Sequence, residues 1–148
     1  MKSLMLTSEK CWRVLSNQAT GTILPWIFTT TTTMQRSDVI LVEIPYVGAA
    51  GSKIRPALVM QNDVLNAQLN ETIIAEITSN TRQRFRDNNV LIEITTSEGR
   101  ATGLLSDSLV RGNRLHTVPQ SDIQRVIGSL SDSLMQQVEA AVNNALDC

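Results

Sequence analysis

Aromatic residues are scarce in this chain: Phe, Trp and Tyr make up 3% of its 148 residues. Proteins that bind single-stranded nucleic acid on a broad stacking platform need several exposed rings, so the composition argues against such a platform. Hydrophobic residues nevertheless reach 42%, and the length is that of one domain. We therefore expect one modest core built from Val, Ile, Leu and Ala.

Cysteine and histidine are equally sparse. The two cysteines, Cys11 and Cys148, form no CxxC pair, and His116 is the single histidine. This set excludes a disulfide framework and gives no zinc-ligand spacing. There is also no Gly-rich phosphate loop and no supportable Ser-His-Asp order. The sequence predicts reduced thiols, no metal and no cofactor.

Long hydrophobic runs are missing. No stretch approaches the ~20 apolar residues that span a bilayer, and the apolar segment 22–28 is short and contains Pro25. Glu9, Lys10 and Arg13 interrupt the apolar core that a signal peptide would need. We expect a cytoplasmic protein without a membrane segment.

The charge is unevenly distributed although the formal net charge is only −1. Arginines concentrate in two short stretches, whereas the tail from residue 117 carries one arginine against four carboxylates. An anionic partner would therefore meet a local basic patch rather than a basic protein. A solvated loop is the alternative interpretation of the first stretch. The two stretches contain Arg82, Arg84 and Arg86, and Arg111 and Arg114.

The chain changes character at Met34. Residues 1–33 show no sustained period and end in a run of threonines. We hypothesise that Met34 is the natural start, so that 1–33 is an upstream translation or a disordered extension and 34–148 is the domain. An N-terminal arm packed on the domain is the alternative.

From Asp38 onward the pattern predicts short strands. Apolar, β-branched runs separated by polar or small residues are typical of strands, and an apolar run bounded on both sides indicates a buried one. The expected strands are 39–44, 56–60, 73–77, 90–94, 103–105, 108–111 and 124–129.

The C-terminal segment predicts an α-helix instead. Apolar residues from Leu134 to Leu146 recur on one helical face, and Ser131 and Asp132 suit the N-cap and first turn. Many short strands with one covering helix indicate a mainly β fold with α (α+β), as a small barrel or sandwich.

From Met34, the ordered motifs of this segment resemble the MazF/PemK family. They are Arg36-Ser37-Asp38-Val39, Lys53-Ile54-Arg55-Pro56-Ala57-Leu58-Val59, Gln61-Asn62-Asp63, Ile77-Thr78-Ser79-Asn80, Leu105-Ser106-Asp107-Ser108-Leu109-Val110, Leu115-His116-Thr117-Val118 and the closing helix. The resemblance implies a small SH3-like β-barrel and a homodimer. It also implies a type II toxin that cuts single-stranded RNA, often mRNA, at short sequences, and a partner antitoxin whose tail covers the RNA groove.

The resemblance places the catalytic pair at Arg55 and Thr78. RNA supplies its own nucleophile, the 2′-hydroxyl, so a metal is not required in principle. A guanidinium binds two phosphate oxygens and meets the negative charge that develops on phosphorus, and the threonine hydroxyl can donate to a phosphate oxygen. An ion pair of Arg55 with Asp63 or Glu76 remains the structural alternative.

The remaining candidates are expected to bind RNA. Ser79 and Asn80 continue the threonine motif, although turn chemistry explains them equally well. His116 stands where the family often has Arg, and an acid–base role for it is a weaker hypothesis beside a plain strand histidine. The arginines expected to follow the RNA backbone are Arg82, Arg84, Arg86 and Arg114.

Three departures from the family pattern bear on activity. Ser37 replaces a glycine, a change we expect the first turn to tolerate, while Asn113-Arg114 and His116 could alter the cleavage sequence or the activity. A toxin of similar fold that binds DNA gyrase without nuclease chemistry is therefore the rival interpretation. Asp107 and Ser108 are expected to anchor their loop through bonds to the backbone.

Overall fold

The computed structural model describes residues 34–147, in which six strands form one antiparallel sheet. The strands are β1 (Asp38–Pro45), β2 (Ser52–Val59), β3 (Glu71–Thr78), β4 (Asn89–Ile92), β5 (Ser108–Pro119) and β6 (Ile123–Ser129), in the spatial order β4-β5-β3-β2-β1-β6. The helices are α1 (Asp63–Gln68), α2 (Ser97–Ala101) and α3 (Asp132–Leu146), with 3₁₀ turns at Thr81–Gln83 and Gln120–Asp122. The expected extension 1–33 lies outside the described residues.

The sheet buries side chains on both faces. In β1, Val39 belongs to one buried cluster and Ile40 to the other, and both are fully buried. This explains why β1 is a continuous apolar run rather than an alternating one. The first cluster contains the buried face of α3, and the second contains Ala57, Val59 and Ile74 with Ile123 and Val126 packed against it.

Helix α3 forms as the periodicity predicts. The Ser131 hydroxyl accepts from the backbone N–H of Leu134 at 3.3 Å, and the helix ends at Asp147 in the left-handed conformation. A Cβ built on Gly112 of β5 would lie 2.9 Å from the backbone of Ala141 and from the carbonyl oxygen of Asn88. Glycine at this position therefore lets the helix approach the sheet closely.

The expected α+β class is confirmed, but the sheet is not closed into a barrel. Among the described strands, β4 and β6 are the two edges and do not pair with each other. The pairing of β1 with β6 shifts register after Val39 and again after Leu41. Such irregularities increase the local bend and twist of paired strands. Among the described strands, β6 nevertheless pairs with β1 alone.

Several local predictions were wrong. Residues 103–105 are a turn and not a strand, because Gly103 has a φ of +72° and a Cβ there would lie 2.1 Å from the carbonyl oxygen of Ile127. The fifth strand is much longer than the predicted 108–111, and the sequence pattern does not predict α1 and α2. Both helices are too short to show an apolar period, which is the signal that the prediction used.

The Gln61-Asn62-Asp63 motif lies between β2 and β3, and its side chains form hydrogen bonds that stabilise this connection. The Asn62 side chain caps α1 by accepting from the N–H of Leu65 at 2.9 Å, and Asp63 accepts from the N–H of Arg36 at 2.6 Å. Gln61 and the buried Thr72 both donate to the side-chain oxygen of Asn66, at 3.1 and 2.8 Å. These bonds satisfy polar groups that would otherwise be buried without partners.

Candidate active site

Arg55 and Thr78 lie on neighbouring antiparallel strands. The paired residues of β2 and β3 run from Val59 and Ile74 to Ala57 and Glu76. Arg55 and Thr78 each lie two residues beyond the last pair, on the face that Ala57 and Glu76 share. The sequence-predicted pair is thus brought together by strand register, across 23 positions of the chain.

The two side chains line one cavity of about 380 Å³, here called the main cavity. Its lining combines apolar residues, among them Leu41, Ile77 and Ile127, with cationic and hydroxyl groups. The polar and charged residues that line it are Lys53, Arg55, Thr78, Ser79, Ser106, Ser108 and Arg125. Three cations without a lining carboxylate among the described residues suit an anionic ligand.

Thr78 is held in a defined orientation. Its side-chain oxygen accepts from the backbone N–H of Asn80 at 3.2 Å, and the Asn80 side chain in turn accepts from the N–H of Arg82 at 3.2 Å. The first bond uses an acceptor site of the Thr78 hydroxyl and leaves its proton able to point elsewhere. Asn80 therefore caps the 3₁₀ turn, which agrees with turn chemistry as the explanation for this residue.

Arg55 also pairs with a carboxylate. Its Nη1 lies 3.6 Å from Oε1 of Glu76, and the two side chains are 36% and 13% exposed. Of the two partners considered from the sequence, the structure brings Glu76 to Arg55, while Asp63 bonds to the backbone of Arg36. The ion pair and a role for Arg55 in anion binding are compatible, because a bound anion can take the place of Glu76 at the guanidinium.

Arg55 separates the main cavity from a second one of about 170 Å³, here called the side cavity. Its charged and titratable lining residues come from four segments and are Tyr46, Arg55, Glu76, Arg111, Arg114 and His116. His116 Nε2 is buried and has no hydrogen-bond partner among the described residues. The side cavity is therefore lined by three arginines, one carboxylate and a histidine whose Nε2 is unsatisfied.

The loop after Thr78 carries the other predicted arginines. Arg82, Arg84 and Arg86 are exposed and line neither of these two cavities. The Arg84 guanidinium carbon lies 4.9 Å from the ring centroid of Phe85, which is 85% exposed. The loop is ordered by its own bonds, including one from the side-chain amide of Asn89 to the carbonyl of Gln83 at 2.8 Å.

Some site residues were missed from the sequence. In the sequence, Arg125 belongs to the acidic tail, yet strand β6 carries it to the main cavity. The pairing of β6 with β1 has no local sequence signal. Lys53 precedes Arg55 by two positions, a spacing that could have indicated a shared side of β2.

Asp107 and Ser108 anchor their loop as expected. Asp107 accepts from the N–H of Ile94 at 2.9 Å, and the Ser108 hydroxyl donates to the Ser106 carbonyl at 2.9 Å.

Two negative observations apply to residues 34–147. No three His, Cys, Asp or Glu side chains of this segment are grouped so that they could hold a metal ion. No helix in the same segment has the length and hydropathy needed to cross a membrane.

Comparison with known proteins identifies relatives along most of the described segment. Residues 35–146 match the family model described as PemK-like, MazF-like toxin of type II toxin–antitoxin systems. The chain is 36% identical to Endoribonuclease MazF6 of Mycobacterium tuberculosis over 104 residues, which are 70% of this chain and 87% of the relative. It is 27% identical to Endoribonuclease EndoA of Bacillus subtilis over 114 residues, which are 76% of this chain and 94% of the relative.

Solved structures show the same fold. The M. tuberculosis toxin MazF-mt6 superposes with a TM-score of 0.61 at 24% identity, covering 74% of this chain and 96% of that one. An endoribonuclease in complex with its cognate antitoxin, from a mycobacterial species, gives 0.62 at 18% identity, covering 77% and 95%. The curated relatives are named endoribonucleases, which favours ribonuclease chemistry over the gyrase-binding alternative.

Proposed function

This chain belongs to the PemK-like, MazF-like toxin family of type II toxin–antitoxin systems, and from that premise we propose how it cleaves RNA. It is an endoribonuclease toxin that cuts single-stranded RNA, in particular mRNA, at short sequences and so inhibits translation and growth. The observation that carries the proposal is the convergence of Arg55 and Thr78 on one cationic cavity.

The scissile phosphate binds in the main cavity beside Arg55. The 2′-oxygen of the preceding ribose attacks phosphorus, and two negatively charged oxygens develop on the phosphorane. The Arg55 fork neutralises this charge, and the Thr78 hydroxyl donates to a non-bridging oxygen. Removing one preorganised donor of this kind lowers kcat about 10²–10³-fold. The reaction gives a 2′,3′-cyclic phosphate and a 5′-hydroxyl.

RNA on either side of the scissile phosphate meets further donors. Ser79 lines the same cavity, Arg114 and His116 line the side cavity, and Asn80 stands at the turn that leads to the arginine loop. We assign the exposed Arg82, Arg84 and Arg86 to the RNA backbone, because phosphates dominate affinity and require only flexible cations.

We also propose the partners and location that this function requires. A cognate antitoxin neutralises the enzyme, as the antitoxin complex of the mycobacterial relative supports. The active form is a homodimer in the cytoplasm, where its mRNA substrate is translated.

The test is cleavage of a long single-stranded RNA by purified residues 34–148 in EDTA, with Arg55→Ala made alongside. Arg100→Ala is the matched control, because this arginine lies in α2 and lines neither of the two cavities. We expect discrete cuts by the wild type and by the control, and a loss of at least about 100-fold for Arg55→Ala. Absence of cuts by folded wild-type protein would contradict the proposal.

A further inference from the structure

The pair Arg55 and Thr78 supplies no obvious general base for the reaction. Cleavage by the 2′-oxygen needs a group that takes the 2′-hydroxyl proton and a group that protonates the 5′-oxygen as it leaves. Arg55 and Thr78 are both best suited to donate, and the described residues that line the main cavity include no carboxylate and no imidazole. The proton acceptor must therefore stand nearby but outside that cavity.

The side cavity supplies the two missing groups. Glu76 and His116 are the carboxylate and the imidazole among its described lining residues. Glu76 touches Arg55 at 3.6 Å and precedes Thr78 by two positions, so it lies on the same face of β3 as the catalytic threonine. His116 pairs with Ile74, two positions before Glu76. Glu76 thus contacts the guanidinium proposed to hold the scissile phosphate, and His116 lines the same cavity as both residues.

We propose that Glu76 is the general base and His116 the general acid of the cleavage reaction. The inference rests on the proposed ribonuclease function and adds two catalytic residues to it. When RNA binds, its phosphate takes the Arg55 fork, and the Glu76 carboxylate is released from that contact to accept the proton of the 2′-hydroxyl.

The proton inventory balances without a co-reactant. The 2′-oxygen loses its proton to Glu76 and forms a bond to phosphorus. The bond between phosphorus and the 5′-oxygen breaks, and the leaving oxygen takes the proton from His116. The enzyme ends with a protonated Glu76 and a neutral His116, and exchange with water restores both groups before the next cleavage.

The unsatisfied nitrogen of His116 favours this assignment over a structural role. Its Nε2 is buried and has no partner in the described segment, and the residue lines the side cavity. A histidine retained only for packing would leave this polar atom at a cost to stability, because buried polar groups are normally paired. When the imidazole turns toward the side cavity, a leaving 5′-oxygen gives Nε2 its hydrogen-bond partner.

Cationic groups line the side cavity together with the two proposed catalytic residues. The charged and titratable residues that share this cavity with Glu76 and His116 are Arg55 from β2, Arg111 and Arg114 from β5, and Tyr46 from the β1–β2 loop. The three guanidinium groups can bind the negatively charged RNA backbone next to Glu76 and His116.

The first experiment is the pH–rate profile of kcat for wild type, Glu76→Gln and His116→Gln on an oligonucleotide that contains one cut site. The wild type should give a bell-shaped profile. We expect each variant to lose about 10²–10⁴-fold at the optimum, Glu76→Gln to lose the rising acid limb, and His116→Gln to lose the falling alkaline limb. Glu76→Asp should recover part of the rate. Glu71→Gln and Thr117→Ala, which are exposed neighbours on the same strands, are the matched controls.

The second experiment isolates the acid. In a substrate whose bridging 5′-oxygen is replaced by sulfur, the thiolate leaves without a proton. His116→Gln should cut this substrate within about tenfold of the wild-type rate, while Glu76→Gln should stay impaired. Melting curves of each variant report whether it is folded.

The outcomes separate the inference from the function on which it rests. Cleavage by both variants at wild-type rates, or a uniform loss with an unchanged profile and no recovery by the sulfur substrate, would overturn the acid–base assignment alone. A wild type that cuts no RNA would overturn the proposed function together with the inference.

Discussion

The guanidinium of Arg55 lies 3.6 Å from the carboxylate of Glu76 and at the same time lines the cavity that contains Thr78. Arg55 can therefore both form an ion pair with a carboxylate and bind the RNA phosphate. Without RNA, Glu76 balances the charge of Arg55; with RNA, the substrate phosphate competes for the same fork. A partly exposed ion pair of this kind holds little free energy of its own, so an incoming phosphate can displace it.

This competition predicts opposite effects of Glu76→Gln on binding and on cleavage. Removing the carboxylate charge leaves Arg55 free for phosphate, so we expect the Kd for RNA to fall about two- to tenfold, which is a gain of roughly 0.4–1.4 kcal/mol. Binding is measured with a 2′-O-methyl oligonucleotide, which cannot be cut. A weaker affinity of the variant would contradict competition between Glu76 and phosphate.

The hydroxyl of Thr78 should matter more than its shape. Thr78→Val removes the donor and is expected to lower kcat about 10²-fold, whereas Thr78→Ser keeps the donor and should stay within about tenfold of wild type. Single-turnover cleavage at saturating enzyme separates this loss from binding. Equal rates for the two variants would show that the hydroxyl does not act on the phosphate.

The arginine loop should contribute affinity rather than chemistry. Replacing Arg82, Arg84 and Arg86 together by Gln removes up to three cations from the RNA backbone, and each removal should flatten the salt dependence of log K by roughly 0.7. We expect the slope of log K against log salt to fall by about 2 with little change in saturated kcat. Titration of an uncleavable RNA at several salt concentrations measures the slope, and an unchanged slope would place the RNA elsewhere.

The first turn should be strained at Ser37. This residue has a φ of +77°, in the left-handed region that favours glycine, which explains the glycine of the family pattern. Ser37→Gly should therefore raise the free energy of unfolding by about 1 kcal/mol. The control Ser133→Gly, on the exposed face of α3, should lower it by about 0.5 kcal/mol. Urea unfolding measures both, and destabilisation by Ser37→Gly would contradict the strain.

Asp38 should make stability depend on pH. Burial raises the pKa of its carboxyl above the ordinary 3.8, and the charge of Asp63 acts in the same direction, while the bond from the Gln35 N–H opposes them. Because the folded pKa is raised, the stability contributed by protonated Asp38 is complete below pH 3.8 and is lost as pH rises through the folded pKa.

The measurement is urea unfolding of wild type and Asp38→Asn over a pH series. The neutral Asn keeps an acceptor for the Gln35 N–H but does not titrate. We expect the stability of the wild type relative to the variant to fall as pH rises above 3.8. Parallel pH dependence of the two proteins would show that Asp38 titrates alike in the folded and unfolded chain.

Much of the fold followed from local sequence. The apolar runs of β1 and β3 and the stripe of α3 with its Ser131 cap each depend on residues within one element, and they were predicted correctly. Residues 103–105 were not, because a positive φ at Gly103 depends on contact with Ile127 of another element. The motif resemblance also gave Arg55 and Thr78, which the structure brings to one cavity.

The sequence by itself determined the α+β class and the residue types that the chemistry requires, because periodicity, capping and motif order are properties of neighbouring residues. Tertiary structure decided which of those residues meet. The assembly of β2, β3 and β5 in one sheet lets Arg55, Glu76 and His116 line one cavity, and the pairing of β1 with β6 adds Arg125 to the neighbouring main cavity. These encounters depend on hydrogen-bonded pairing between strands that are distant in the chain, for which a single sequence carries no local signal.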